Sequence, residues 1–239
     1  MESEYIRLAE AIQQASKNHH KKRFLVAIAG VPGSGKTTTA QAVVTRLNKH
    51  TESPTALLSM DGFHLSRAQL DVLPNAAEAY IRRGAPWTFD VARFVDFVRK
   101  LRVWADETPL AAPGSGSWTE AQVIRGPTFD HEAKDPVEGG ISITPDSEII
   151  IVEGNYLLLD EEGWRELADL VDYRVFVDTD LLEARDRTAR RHVKAGIERT
   201  LDDGYRRVDS NDYLNGVTIR EKLLKPDLVL KSVPEAIAG

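Results

Sequence analysis

Phe24-Leu25-Val26-Ala27-Ile28-Ala29-Gly30-Val31-Pro32-Gly33-Ser34-Gly35-Lys36-Thr37 is the stretch on which the reading of this chain turns. Its first six residues are apolar at every position, the pattern of a strand covered on both faces of a parallel sheet. Gly30 to Thr37 then fits the spacing G-x-x-x-x-G-K-[ST], which average residue usage produces in roughly one chain of this length in a hundred. Ala40, Val43, Val44 and Leu47 follow at helical spacing, so the loop joins a buried strand to a helix, as phosphate binding requires. The glycines let backbone N–H groups turn inward as an anion nest, and the helix N-terminus adds partial positive charge. Lys36 is then expected to reach the β- and γ-phosphates of a nucleoside triphosphate, and the Thr37 hydroxyl to ligate Mg²⁺.

Working outward from this loop, Tyr5, Leu8, Ile12 and Ala15 predict an amphipathic helix over 3–17. Thr55 to Met60 reads as a short strand, residues 75–83 as helical, and Asp90 as the N-cap of a helix carrying Phe94, Val98 and Leu101. Residues 106–147 are rich in Pro, Gly, Thr and Ser and predict an excursion with short β pieces at 121–125 and 141–144. Ile149 to Val152 and Tyr173 to Val177 read as further buried strands. An Arg-rich helix follows over Leu181 to Lys194, and Asp227 to Leu230 supplies a last strand. Strands alternating with helices predict an open α/β fold with a mostly parallel sheet, a P-loop NTPase three-layer sandwich. It is read as one domain over 1–239, with the excursion at about 106–147 and an Arg-rich lid at about 181–204.

Composition narrows the classes. The chain has 239 residues, 42% hydrophobic and 28% charged, which is ordinary for a globular protein and unlike a disordered one. Cysteine is absent, which excludes disulfides, thiolate metal sites and cysteine nucleophiles. The longest strongly apolar run, Phe24 to Val31, is far below the ~18 residues of a membrane span. Glu2 and Glu4 open the chain in place of a cationic and then apolar leader, so a cytoplasmic location without membrane contact is expected. The net charge of −6 argues against nucleic acid as the partner. That charge is unevenly spread: residues 185–207 carry eight basic side chains against four acids, while 130–169 carry twelve acids against two bases. Cations therefore gather where a triphosphate needs them. A homodimer is compatible with all of this.

A triphosphate-binding loop serves several trades. A guanine reader needs Asn-Lys-x-Asp, whereas Asn48-Lys49 is followed by His50-Thr51, and Asp160-Glu161-Glu162-Gly163 matches a switch Asp-x-x-Gly by spacing alone. Motor ATPases commonly end the neighbouring strand in Asp-Glu, and here it ends in Glu153-Gly154. Two features favour a small-molecule kinase. Ser59-Met60-Asp61-Gly62-Phe63-His64 sets a carboxylate at the carboxyl edge of the sheet, where Asp61 can take the proton of an attacking hydroxyl. Its alternative is a loop carboxylate capping local amides. Arg185, Arg187, Arg190 and Arg191 crowd one helix and can close over the phosphates; their alternative is a solvated, ion-paired face. The aromatics Phe63, Trp87 and Phe89 fit either an acceptor pocket wall or a small core beneath the excursion. The rival to a kinase is a regulatory or ATP-hydrolysing P-loop module with a protein partner.

Together, Gly30–Thr37, Met60–His64, Arg83-Gly84-Ala85-Pro86-Trp87-Thr88-Phe89-Asp90, Val152-Glu153-Gly154-Asn155-Tyr156-Leu157 and the Arg-rich helix resemble the uridine kinase, phosphoribulokinase and pantothenate kinase superfamily. The likeness runs from about residue 20 to 232 and is greatest to its bacterial and fungal branch labelled uridine kinase-like. The resemblance implies an ATP- and Mg²⁺-dependent transfer of phosphate to a hydroxyl of a nucleoside- or sugar-like metabolite. It implies Gly30, Gly33, Ser34, Gly35, Lys36, Thr37 and Thr38 for ATP, Thr37 and Glu153 for the metal, Asp61 as base, and Arg187 and Arg191 as lid arginines. Asp61, His64, Arg83, Asp130 and His131 form the expected acceptor side. Uridine kinases carry a Tyr-Asp segment followed by a Thr-His-Ser-Arg-like stretch. Here Pro127-Thr128-Phe129-Asp130-His131-Glu132 stands in that place and nothing like the second stretch follows. Uridine is thereby not singled out, and pantothenate-like, sugar and sugar-phosphate acceptors stay open.

Overall fold

The structure, a computed structural model, describes residues 1–49 and 52–232. His50 and Thr51, which follow Asn48-Lys49, lie outside the described residues. Helix α1 (Glu2–Lys17) buries Tyr5, Leu8, Ala9 and Ile12, one stripe at helical spacing. Strand β1 (Phe24–Gly30) is buried at all seven positions, and α2 (Lys36–Leu47) begins directly after the glycine loop. Strand β2 (Ala56–Ser59) runs into a 3₁₀ turn at Met60–Phe63, and two short helices follow, α3 (Arg67–Asp71) and α4 (Ala76–Ile81). Helix α5 (Val91–Glu107) is capped as expected: the Asp90 side chain accepts from the Arg93 amide at 3.1 Å.

The excursion is a β-hairpin, β3 (Ile124–Asp130) paired antiparallel with β4 (Asp135–Ile143), with a register shift between Gly126 and Thr128. The second strand starts six residues before the expected 141. Its opening, Asp135-Pro136-Val137-Glu138-Gly139-Gly140, lacks apolar alternation because it is the largely exposed strand of a two-stranded ribbon, where proline and glycine are tolerated. The piece expected at 121–125 is a 3₁₀ turn at Glu120–Gln122 that leads into β3.

Strands β5 (Ile149–Gly154) and β6 (Tyr173–Asp178) flank β1, and helices α6 (Leu181–Lys194), α7 (Leu201–Ser210) and α8 (Asp212–Glu221) precede β7 (Leu228–Lys231). The five strands run parallel in the order β2-β5-β1-β6-β7. The alternation of β1 builds two cores at once. Phe24, Val26 and Ile28 pack with α1, α2 and Leu230 on one face; Leu25, Ala27 and Ala29 pack with α5 and the 156–168 segment on the other. The order reverses at β1, whose two neighbours are β5 and β6, so the crevice beyond its carboxyl end lies at the switch point where open α/β sheets bind ligands.

Arg23 ends the basic stretch before β1, yet it is 1% exposed. Its Nε donates to the Ser147 carbonyl at 3.0 Å, Nη1 to those of Ala105 and Thr108, and Nη2 to those of Pro109 and Pro145. All five donors are used, and the guanidinium stacks on Trp104 at 4.4 Å. One side chain thereby ties the end of α5 and the return from the hairpin to the root of the central strand. Among the described residues no helix is long and apolar enough to cross a membrane.

Candidate active site

The loop after β1 turns inward through Gly33 (φ 81°) and Gly35 (φ 84°), conformations that side chains with a Cβ rarely adopt. A Cβ on Gly33 would also stand 2.4 Å from the Ala184 carbonyl oxygen and 2.4 Å from Thr188 Oγ1, so α6 lies directly against the loop. The Ser34 amide donates to the Val31 carbonyl at 3.0 Å, while Ser34 Oγ is buried with no partner. Lys36 opens α2, and Thr37 and Thr38 follow on its exposed first turn.

Glu153, at the end of β5, is 3% exposed and faces this turn from the adjacent strand. Its carboxylate accepts from Thr37 Oγ1 at 3.1 Å and from Ser59 Oγ at 2.6 Å. Burial pushes its pKa above the usual carboxylate range, Lys36 pulls it down, and the nearby Asp61 charge pushes it up again. Ser59 Oγ also caps the 3₁₀ turn by accepting from the Asp61 amide at 3.3 Å. The end of β2 thus joins two carboxylates into one arrangement.

Asp61 and His64 sit at opposite ends of that turn. His64 stacks between Phe89 (3.9 Å between centroids) and Phe129 (4.9 Å). Its Nδ1 donates to the Asp61 carbonyl at 2.8 Å. Burial lowers its pKa against the pull of Asp61, so the ring is held neutral with Nδ1 protonated.

One cleft of about 770 Å³ is lined by Gly33, Lys36, Thr37, Asp61, Glu153 and Arg191 together with His64 and His131. A second, of about 540 Å³, opens from it past Asp61 and His64 and reaches Arg83. Nine of the fifteen expected residues thus lie along one continuous crevice. Gly30, Ser34, Gly35 and Thr38 belong to the loop and the first turn of α2 without lining it, and Asp130 and Arg187 stand apart from it. Asp130 is exposed, and its carboxylate accepts from the amides of Glu132 (2.8 Å) and Ala133 (3.0 Å), which closes the hairpin turn and lowers its pKa. A side chain committed to the turn is not presented to a ligand. Arg187 pairs with Glu183 and donates to Ser232 Oγ at 2.7 Å, beside the loop rather than in the cleft.

Arg185 is held by Asp209 at 2.5 Å and Arg190 by Asp186 at 2.8 Å, so of the four arginines Arg191 is the one that lines the cleft. The expected lid over 181–204 is two helices, α6 ending at Lys194 and α7 starting at Leu201. Of the two alternatives for the aromatics, Phe63 and Phe89 take the core and Trp87 is 40% exposed, while Phe129 lines the crevice.

Three cleft residues were not foreseen. Asp212 and His192 meet beside Arg191; burial raises the first and lowers the second, and His192 Nδ1 is buried without a partner. Asn155 Oδ1 is likewise buried and unpartnered on the cleft wall. Asn155 stands inside the Val152–Leu157 motif, a usable signal; nothing local marks Asp212, because α7 and α8 fold it back onto α6.

Residues 25–235 match the family model for the phosphoribulokinase / uridine kinase family. The chain belongs to that family. Among its relatives, "Putative uridine kinase C227.14" of Schizosaccharomyces pombe is 34% identical over 215 residues, 90% of this chain and 85% of that one. The ATP-dependent kinase YFH7 of Eremothecium gossypii is 37% identical over 191 residues, 74% of this chain, which spans only 57% of that relative's length. A solved structure from Silicibacter sp. TM1040, described as a "putative fructose transport system kinase", superposes with a TM-score of 0.78 at 27% identity, covering 94% of this chain and 98% of that one. This member of the phosphoribulokinase / uridine kinase family is therefore a P-loop kinase, and its crevice is the place to seek the reaction.

Proposed function

We propose that the protein is an ATP- and Mg²⁺-dependent kinase that transfers the γ-phosphate of ATP to a hydroxyl of a nucleoside- or sugar-like metabolite, within one domain. The observation that carries this reading is the shared cleft: the phosphate loop and Glu153 line one part, and Asp61 stands where it opens toward a second compartment. In this reading the loop amides, Lys36 and Arg191 hold the triphosphate, and Asp61 accepts the proton of the acceptor hydroxyl as its oxygen bonds to the γ-phosphorus and ADP leaves. Arg187 is proposed to act from beside the loop through Ser232, outside the phosphate cleft.

The metal fits the residues present. Thr37 and Glu153 offer hard oxygens already 3.1 Å apart, and the unpartnered Asn155 oxygen adds a third on the same wall. Among the described residues no three His, Asp or Glu side chains gather into a cage. An ion here would therefore take most of its ligands from phosphate and water, the habit of Mg²⁺. When bound, the metal neutralises charge on the β- and γ-phosphate oxygens. The test is ADP release from Mg·ATP across neutral and anionic hydroxyl acceptors. Release that depends on an acceptor supports the kinase; release indifferent to every acceptor favours an ATP-hydrolysing module.

A further inference from the structure

The second compartment differs sharply in charge from the average of a protein carrying −6. Arg67, Arg83, Lys134 and Arg207 line it, with His131 and the Tyr80 ring; Lys134 and His131 also line the first cleft, and Asp61, the single acid of the second, is shared between the two. Two of these cations are partly matched: Arg83 lies 3.6 Å from Asp135, and Arg207 lies 3.2 Å from Glu198. Arg67 and Lys134 have no ion pair among the described residues. Arg83 is packed over Phe129 at 5.4 Å, its Nη2 donates to the Leu65 carbonyl at 2.9 Å, and its Nε is buried with no partner at all. Burial holds Arg83 below the usual guanidinium range, and the nearby Arg67 charge acts in the same direction, although Asp135 opposes both. Lys134 has φ 60°, a left-handed conformation that costs a lysine about 1 kcal/mol or more and is ordinarily filled by glycine or asparagine. The hairpin tip therefore presents a cation in a costly backbone conformation.

Like charges gathered around a cavity, with a buried donor left open, are stabilised by an anion between them. From this we infer that the acceptor carries an oxyanion, a phosphate ester or a carboxylate, held by Arg67, Arg83 and Lys134 while the hydroxyl to be phosphorylated lies at Asp61. This rests on the kinase reading above and narrows its acceptor to anionic hydroxy-metabolites, in place of neutral nucleosides and free sugars. The inner acid and the outer cations also orient such a molecule: its anionic end is repelled from Asp61, which leaves the hydroxyl end beside the phosphate loop.

The experiment is calorimetry on the full chain loaded with Mg²⁺ and a non-hydrolysable ATP analogue. The titrants are matched pairs: ribulose and ribulose phosphate, fructose and fructose phosphate, glycerol and glycerate, uridine and uridine monophosphate. The expected result is that, in at least one pair, the anionic member binds about tenfold or more tighter than its neutral partner. The double variant Arg67→Gln/Lys134→Gln, two exposed positions, is expected to bring that pair within about twofold, with an unchanged thermal unfolding midpoint as the control for folding. Sugar phosphates and glycerate distinguish phosphate from carboxylate. Equal binding within every pair, no binding by any anionic member, or an unchanged preference in the double variant overturns the inference. ADP release from the same mixtures with Mg·ATP separates the two readings. A bound anion without release overturns phosphotransfer and keeps the anion site; release from neutral members alone keeps the kinase and overturns the anion site.

Discussion

The two halves of the crevice are built on different principles. The nucleotide half is backbone and buried carboxylate: a glycine loop pinned against α6, and Glu153 locked by two hydroxyls at the end of a fully buried strand. The half proposed for the acceptor is side chains on a turn, two short helices and a two-stranded ribbon, with charge in place of burial. The first kind of site depends on conformations that few residues permit. The second can be rebuilt by single substitutions, so one fold can serve many acceptors.

Variants sharpen this contrast in order of expected size. Asp61→Asn, at the boundary, should lower acceptor-dependent turnover about 10³-fold while nucleotide affinity stays within a few-fold. Near-normal turnover by steady-state ADP release removes Asp61 as the base. Lys36→Ala should weaken nucleotide binding by about a hundredfold, read by calorimetry, and an unchanged titration undoes the nucleotide half altogether. Arg23→Met leaves five carbonyls without their donor and should cost about 3 kcal/mol in urea unfolding, although Arg23 touches neither compartment. Gly62→Ala places a Cβ 2.4 Å from the Pro127 carbonyl oxygen. Neither backbone can yield cheaply, so a loss of about 1–3 kcal/mol is expected, with a larger effect on acceptor KM than on nucleotide affinity. An effect confined to nucleotide binding breaks the division between the halves.

The smallest effect is on pH. His64 and His192 both lie below the usual imidazole value because of burial. As pH falls below about 6.5, the unfolded chain takes up protons that the folded chain refuses, so stability is expected to drop there. Each shift contributes stability that is fully present above the unfolded value. His192→Gln should flatten that acid limb in thermal unfolding from pH 7 to 5. A limb as steep as in the parent protein excludes His192 from it.

The legibility of the sequence followed the same division. The parallel sheet, the α5 cap, α6 and the phosphate loop could be read locally, because apolar runs, periodicity and glycine spacing are local constraints on backbone. Helices α7 and α8 went unread: the residues they bury are Gly204, Val208, Asn215, Gly216 and Ile219, of which only Val208 and Ile219 are large and apolar. With them went Asp212, which reaches the cleft only when those helices fold back. Asp130 was assigned to the acceptor on its neighbours, but a hydrogen bond to an amide two residues ahead decides where its carboxylate goes.

Arg23 shows the same limit for stability. In sequence it closes a polar linker; in the fold it is a buried hub, because its five partners come from residues 105–109 and 145–147. From the order of its residues alone, this chain was bound to form a strand–loop–helix of the phosphate-loop pattern, since glycine spacing and an unbroken apolar run act over a dozen neighbours. Which arginine faces the cleft, which carboxylate is spent on a turn and where unpaired cations converge were settled only by packing. Those outcomes depend on segments far apart in the chain, such as Arg207 and Lys134 on one compartment and Glu153 beneath Thr37, 116 residues away.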